Sequence, residues 1–166
     1  MVAQEANQAV LERAERLRAE QRAAERKSEL VALVTFRLGR ESYALPADQV
    51  RGAIACQSLV PIPSTPPHLL GITNFRGEIL PVFDLGVLLG LASEPGEPAY
   101  FLIARPGADS AALGCDSCPD IVEVPGDDIK PPRSTIASPA APYLRGQVLV
   151  RDHALGVLDM DKVLAC

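Results

Sequence analysis

LGITNFRGEILPVFD, from Leu70 to Asp84, decides the fold because the chain writes it again as RGQVLVRDHALGVLD, from Arg145 to Asp159. The two copies align without a gap at a constant offset of 75, sharing Gly71/Gly146, Arg76/Arg151, Leu80/Leu155, Val82/Val157 and Asp84/Asp159. The register continues to Leu89/Leu164. An upstream echo joins YALPADQV (Tyr43 to Val50) to AALGCDSC (Ala111 to Cys118) at an offset of 68, sharing Ala44/Ala112, Leu45/Leu113 and Asp48/Asp116. Two echoes in the same order point to two related units of about 65 to 75 residues, each ending in a strand, an aspartate and a short apolar helix.

Within the first copy, Leu70–Phe75 and Glu78–Phe83 alternate as strands do, and Arg76-Gly77 between them is the place for a tight turn. Asp84 is then placed to accept hydrogen bonds from the free amides of a helix start, with Leu85, Leu88 and Leu89 as its buried side and Gly90 as its stop. Upstream, Val34, Phe36 and Leu38 face one way and Thr35 and Arg37 the other, Gly39-Arg40-Glu41-Ser42 turns the chain, and Tyr43-Ala44-Leu45 returns. Val50–Ile54 reads as a further strand, followed by an extended proline-bearing connection from Pro61 to Pro67. In the second unit, Tyr100–Ala104 and Ala111–Cys115 form a hairpin around Arg105-Pro106-Gly107, and Ile121–Val124 a short strand. A second proline-bearing stretch follows. Gln147–Val150 and Leu155–Leu158 then pair around Asp152-His153, and Asp159 caps a last helix. Short strands with closely spaced turn signals predict an all-β body of small barrels.

The N-terminal segment is of another kind. All 15 prolines and all 12 glycines lie at or beyond Gly39, whereas residues 1–29 are rich in Ala, Glu and Arg. Ala3 to about Lys27 reads as one helix with a thin apolar stripe at Val10, Ala14, Leu17 and Ala24, interrupted by Gln21, and a same-face Glu12/Arg16 pair. Such a helix is either solvated and loosely attached, or a coiled-coil or partner-docking element. The expected division is therefore an extension over 1–29 and a body over 30–166, with the two units meeting near 91–98.

Charge narrows the function. The extension carries six acids and six bases, so the net charge of −5 belongs to the body. An acidic body lacks the basic footprint that nucleic acid or an anionic membrane requires, and a protein partner fits better. No apolar run approaches membrane-spanning length and no apolar signal core opens the chain, so it is expected to be cytoplasmic. Four cysteines (Cys56, Cys115, Cys118, Cys166) without a regular framework agree with a reducing compartment.

A catalytic site needs a polar cluster with tuned proton affinities. The histidines are only His68 and His153, and no nucleophile-elbow motif frames Ser64 or Ser117 for a Ser/His/Asp site. There is no phosphate-cradling glycine loop, Walker lysine or helical histidine for phosphotransfer. Cys115-Asp116-Ser117-Cys118 invites a metal or redox reading, but in a strand two sulfurs three residues apart point to opposite faces. Both cysteines are read instead as small core hydrophobes. Neither a metal nor a cofactor is expected.

The residues that carry a resemblance are FRLGRESYALPADQV (Phe36–Val50), PIPSTPPHLLGITNFRGEILPVFDL (Pro61–Leu85), LGCDSCPDIVEV (Leu113–Val124) and YLRGQ (Tyr143–Gln147). Together they resemble the CheW family, the adaptors of bacterial chemosensory arrays. The most specific piece is Leu70-Gly71-Ile72-x-Asn74-x-Arg76-Gly77-x-Ile79-x-Pro81-Val82-x-Asp84-Leu85. The likeness runs from about Val34 to Leu164 and leaves the N-terminal helix outside. It implies two SH3-like five-stranded β-barrels side by side with strands exchanged between them. It further implies a non-enzymatic adaptor that joins the regulatory domain of a CheA-type histidine kinase to the cytoplasmic tip of chemoreceptors, and that meets other CheW-like domains. In the family, a receptor helix lies in an apolar groove between the barrels and the kinase docks barrel on barrel.

By the same resemblance the partner-binding residues are Arg76, Asn74, Gly77, Glu78, Val50, Ile54 and Gly71. Arg76, at the mouth of a tight turn, can offer forked hydrogen bonds to a carboxylate or carbonyls across an interface. Arg151, its echo, is expected to be surface only. One departure stands out: the family's V-x-E-V/I reads Val50-Arg51-Gly52-Ala53 here, so the usual glutamate is missing and Glu78 is the candidate substitute partner for Arg76. A CheW-like module serving a divergent signalling system, as a capping or competing element, is the alternative function. A thiol sensor on the same barrels is a third.

Overall fold

The computed structural model describes residues 2–27, 29–91, 96–105, 110–133 and 138–165. The expected turn residues Pro106 and Gly107, part of the loop between the units, the middle of the second proline-bearing stretch and Cys166 lie outside the described residues. Helix α1 (Val2–Lys27) is followed by β1 (Leu30–Leu38), β2 (Glu41–Pro46), β3 (Val50–Ala55), β4 (Leu69–Phe75), β5 (Glu78–Asp84) and α2 (Leu85–Leu88). The second half gives β6 (Tyr100–Ala104), β7 (Ala112–Cys115), β8 (Asp120–Pro125), β9 (Leu144–Val150), β10 (His153–Leu158) and α3 (Met160–Leu164). Two turns are tighter than the sequence predicts. The first hairpin turns on Gly39-Arg40 alone, and the last on Arg151-Asp152, which moves His153 from the turn into β10.

The strands form two five-stranded sheets of the same design, ordered β8-β1-β2-β10-β9 and β3-β6-β7-β5-β4. Each unit places its opening hairpin in one sheet and its closing three strands in the other. The sequence repeat and the sheet are therefore different objects, and the two units are clasped. The central parallel pairings are β2 with β10 and β7 with β5, and they join Ala44 to Val157 in one sheet and Ala112 to Val82 in the other. Those are the residues that the offsets of 68 and 75 equate, so the echo in the sequence is a register in the structure.

Three apolar clusters follow from strand alternation. Leu33, Ala44, Val124, Val148, Leu155 and Val157, contributed by all five strands of the first sheet, fill its interior. Phe75, Leu80, Val82, Phe101, Ile103 and Ala112 do so in the second. The third and largest lies between the sheets: Val34, Phe36 and Leu38 meet Leu102, Leu113 and Cys115, with Leu85 and Leu89 below α2 and Met160 and Val163 from α3. The two hairpins bury both faces, one in a sheet interior and one in the junction. Fully burying one such aliphatic side chain contributes roughly 1.5–3 kcal/mol, so this junction makes one folding unit of the body.

The two caps match. Asp84 accepts a hydrogen bond from Val87 N at 3.1 Å, and Asp159 from Asp161 N at 3.1 Å and Lys162 N at 3.4 Å. The proline-bearing connections also match. Val60 exchanges backbone hydrogen bonds with Ile72 on the outer edge of β4, and Lys130 does the same with Gln147 on β9. Each bridge shields an edge strand that would otherwise offer bare amides. It also explains the shared glycine: a Cβ on Gly71 would sit 2.2 Å from the Val60 carbonyl oxygen, and one on Gly146 2.8 Å from that of Lys130.

Candidate functional site

Strands β3 and β4 end the second sheet on opposite sides and share no hydrogen-bonded ladder. Between them lies a groove of about 420 Å³, lined by Gly52 to Ala55 on one wall and Asn74, Phe75 and Arg76 on the other, with Gln57 and Ser58 at its end. The sequence positions the second wall by a two-residue turn. Arg76 and Gly77 both adopt left-handed backbone, with φ of 52° and 86°, the pattern of a type I′ turn that suits the twist of a hairpin. Asn74 Oδ1 accepts from Gly77 N at 2.9 Å and holds the turn closed. The left-handed conformation is a cost at Arg76 that glycine alone escapes.

Phe75 gives the groove its chemistry. Its ring is buried in the second sheet's interior, and two guanidinium groups lie over it, Arg76 with Cζ 5.1 Å from the centroid and Arg51 at 5.8 Å. Arg51 reaches across from β3 to Glu78, 2.9 Å away, and to Ser110 Oγ at 3.1 Å. Its side chain and that of Glu78 are partly exposed, so the pair is worth no more than about 1 kcal/mol. Glu78 is thus not the substitute partner of Arg76; the nearer cation takes it. Among the described residues Arg76 forms no ion pair. At Gly52, where the family's glutamate is missing, an added Cβ would meet only the tip of Phe75 at 3.5 Å, an ordinary contact.

Arg76, Asn74 and Ile54 line this groove, with Gly77 and Glu78 next to Arg76 in the chain; Val50, half-buried at the start of β3, packs instead against the cluster between the sheets. Gly71 differs. It is buried under the crossing Val60 backbone, and its role is to let two chain segments approach, which no partner-facing reading explains. Arg151 and Asp152 repeat the left-handed turn in the first sheet, with φ of 48° and 65°. There the counterpart of Asn74 is Leu149, 74% exposed, and on β8 Ile121 is 65% exposed where β3 has Ala53. A second hollow of about 570 Å³ lies at the end of the first sheet, between β1, Pro46, Ile129 and Arg145.

The CDSC motif works through its middle residues. Asp116 Oδ2 accepts from Gly39 N at 2.6 Å, Ser117 Oγ from Arg37 N at 3.0 Å, and Asp116 N donates to Arg37 O at 3.0 Å. The loop after β7 therefore staples the β1–β2 hairpin of the other sheet. Sequence reading missed this; the adjacent polar pair at the end of a buried strand was the available signal. Cys115 is a core residue as expected, and burial, reinforced by the Asp116 carboxylate, pushes its thiol up to about 12. Cys118 is exposed, which corrects the core reading for that position, because the chain leaves the strand at Asp116 and the alternation ends there. Burial raises the Cys56 thiol too. His68 stacks on Phe83 at 6.1 Å, and among the described residues no group of three or more His, Cys, Asp or Glu could hold a metal ion. No helix among them is long and apolar enough to cross a membrane.

A family model described as the CheW-like domain matches residues 32–165. The chain is 30% identical to the chemotaxis protein CheW of Treponema pallidum (strain Nichols) over 138 residues, 80% of this chain and 81% of that protein. It is 26% identical to the CheW of Rhizobium meliloti (strain 1021) over 132 residues, 79% of this chain and 85% of that one. The protein FrzA of Myxococcus xanthus is 30% identical over 132 residues, with 78% and 82% covered. The crystal structure of the scaffolding protein TtCheW from Thermoanaerobacter tengcongensis superposes with a TM-score of 0.70 at 25% identity, covering 80% of this chain and 86% of that one.

Proposed function

The chain belongs to the CheW-like family, and from that premise we propose that this chemotaxis coupling adaptor joins a CheA-type histidine kinase, through the kinase's regulatory domain, to the cytoplasmic tip of chemoreceptors, in the cytoplasm and without chemistry of its own. The observation that carries the reading is Arg76: a cation held in a left-handed turn at the rim of a groove, stacked on a buried ring and, among the described residues, without an ion pair. Arg151 shares the left-handed turn, so what sets Arg76 apart is the ring beneath it and the groove beside it. An interface arginine whose fork is unused favours a carboxylate or helix-end carbonyls on the partner.

Two clasped sheets with separate outer edges supply two faces, which is what an adaptor needs to hold two partners at once. The partner-binding set is Arg76, Asn74, Gly77 and Glu78 on the turn, with Val50 and Ile54 on β3. Asn74 and Gly77 act by holding the turn in shape. The other parts of the motif that carries the family resemblance, Gly71 included, serve the fold beneath it. Titration of the purified protein with the regulatory domain of the kinase from the same organism tests the proposal. Saturable binding without substrate turnover is expected, and absence of binding to every such kinase of that organism would refute it.

A further inference from the structure

Helix α1 stands outside the family match and largely in solvent. Val10, Leu11 and Leu17 are 65%, 61% and 52% exposed, and the helix meets the body chiefly at the turn Gly126–Asp128. Asn7, Val10, Ala14, Leu17, Gln21 and Ala24 follow one another in alternating steps of three and four residues. That is the seam of a heptad repeat, with Asn7, Ala14 and Gln21 at a and Val10, Leu17 and Ala24 at d. The helix spans roughly 39 Å at 1.5 Å per residue, long enough for such a seam to pair along its length.

We infer that α1 pairs with α1 of a second copy of this chain, and that the two run antiparallel. The orientation follows from charge. Arg13 and Glu20 occupy g positions, and Arg18 and Glu25 occupy e positions. In a parallel pair each g residue meets the following e residue of the other helix, so Arg13 would face Arg18 and Glu20 would face Glu25, each twice by symmetry. Every one of those contacts repels. In an antiparallel pair g meets g, so Arg13 of one copy meets Glu20 of the other, again twice, and Arg18 lies along Leu11. The a and d layers then set Ala14 against Leu17, Val10 against Gln21 and Asn7 against Ala24. A small or polar residue opposes each larger one, the close and weakly apolar packing that a thin seam permits. The six acids and six bases of residues 1–29 leave no net charge to drive two copies apart.

So narrow a seam gives a weak pair that fills only where many copies are held together. Each bundle of two helices would tie one adaptor to another through a surface distinct from both sheets, so that kinase binding and helix pairing can be measured apart. The test is sedimentation equilibrium of the full-length protein up to millimolar concentration. A reversible monomer–dimer equilibrium is expected. Arg13→Glu and Glu20→Arg should each weaken it roughly tenfold by turning two attractive contacts into repulsive ones. The double variant, which restores the contact with its signs exchanged, should recover it. Strengthening by Arg13→Glu would show the parallel arrangement and overturn the proposal, as would a protein that stays monomeric throughout or a dimer indifferent to all three variants. Both positions are exposed on a helix, so circular dichroism of each variant should match the parent.

Discussion

The two hairpin turns Arg76-Gly77 and Arg151-Asp152 have the same backbone, the same place in their sheets and different surroundings. Beside the first lie Asn74, Glu78 and the stacked pair of arginines; beside the second lies Leu149, exposed like Ile121, which on β8 matches Ala53 of β3. A duplicated scaffold has kept its register and its caps while its rims have diverged, one towards charge and one towards apolar contact. Backbone geometry alone therefore does not make a site. The difference lies in which side chains the common geometry presents.

The sharpest break should come beneath the rims, where both halves need the same glycine. Gly71→Ala forces a methyl to within 2.2 Å of the Val60 carbonyl oxygen and should cost about 3 kcal/mol; Gly146→Ala, where the Lys130 carbonyl oxygen is met at the longer distance of 2.8 Å, should cost about 2 kcal/mol. Chemical denaturation of both variants measures this, and equal small losses would mean that the crossing connections are loose. At the rims themselves the halves should separate. Arg76→Ala is expected to weaken kinase or receptor binding by about 1–3 kcal/mol with little change in melting temperature, and Arg151→Ala to do much less. Like effects of the two in a titration would erase the distinction.

The caps should again behave alike, Asp84→Ala and Asp159→Ala each costing about 1 kcal/mol of stability and leaving binding intact. The smallest effect concerns Cys115, which stands where the first half has Ala47. Its thiol is pushed up from 9.0 to about 12 in the folded protein, so the unfolded chain releases that proton first. Stability should thus be full below pH 9 and decline as pH rises towards 12, with a shallower decline in Cys115→Ala. Alkylation mapped by mass spectrometry should find Cys118 in the native protein and Cys115 only after unfolding.

Much of this was legible in the sequence. The offsets of 75 and 68 already paired Val82 with Val157 and Ala44 with Ala112, and the caps followed from an aspartate before a leucine run. The exchange of strands between sheets was not legible from periodicity, because alternation tells which face of a strand is buried and not which distant strand lies beside it; the family resemblance supplied it. Arg76 was legible as a turn cation. The salt bridge of Arg51 with Glu78 was not, since it joins residues 27 apart across two sheet edges. Cys118 departs from the strand pattern because pairing ends at Cys115, and the exposed bend that follows has no alternation to read.

If one copy of this protein bridges kinase and receptor, as we propose, co-sedimentation should show it. Receptor-bearing membranes and the CheA-type kinase from the same organism are mixed with and without the purified protein, and the kinase in the pellet is measured. Kinase should pellet in proportion to added protein, and Arg76→Ala should reduce this far more than Arg151→Ala. Pelleted kinase that does not change on addition of the protein would contradict it.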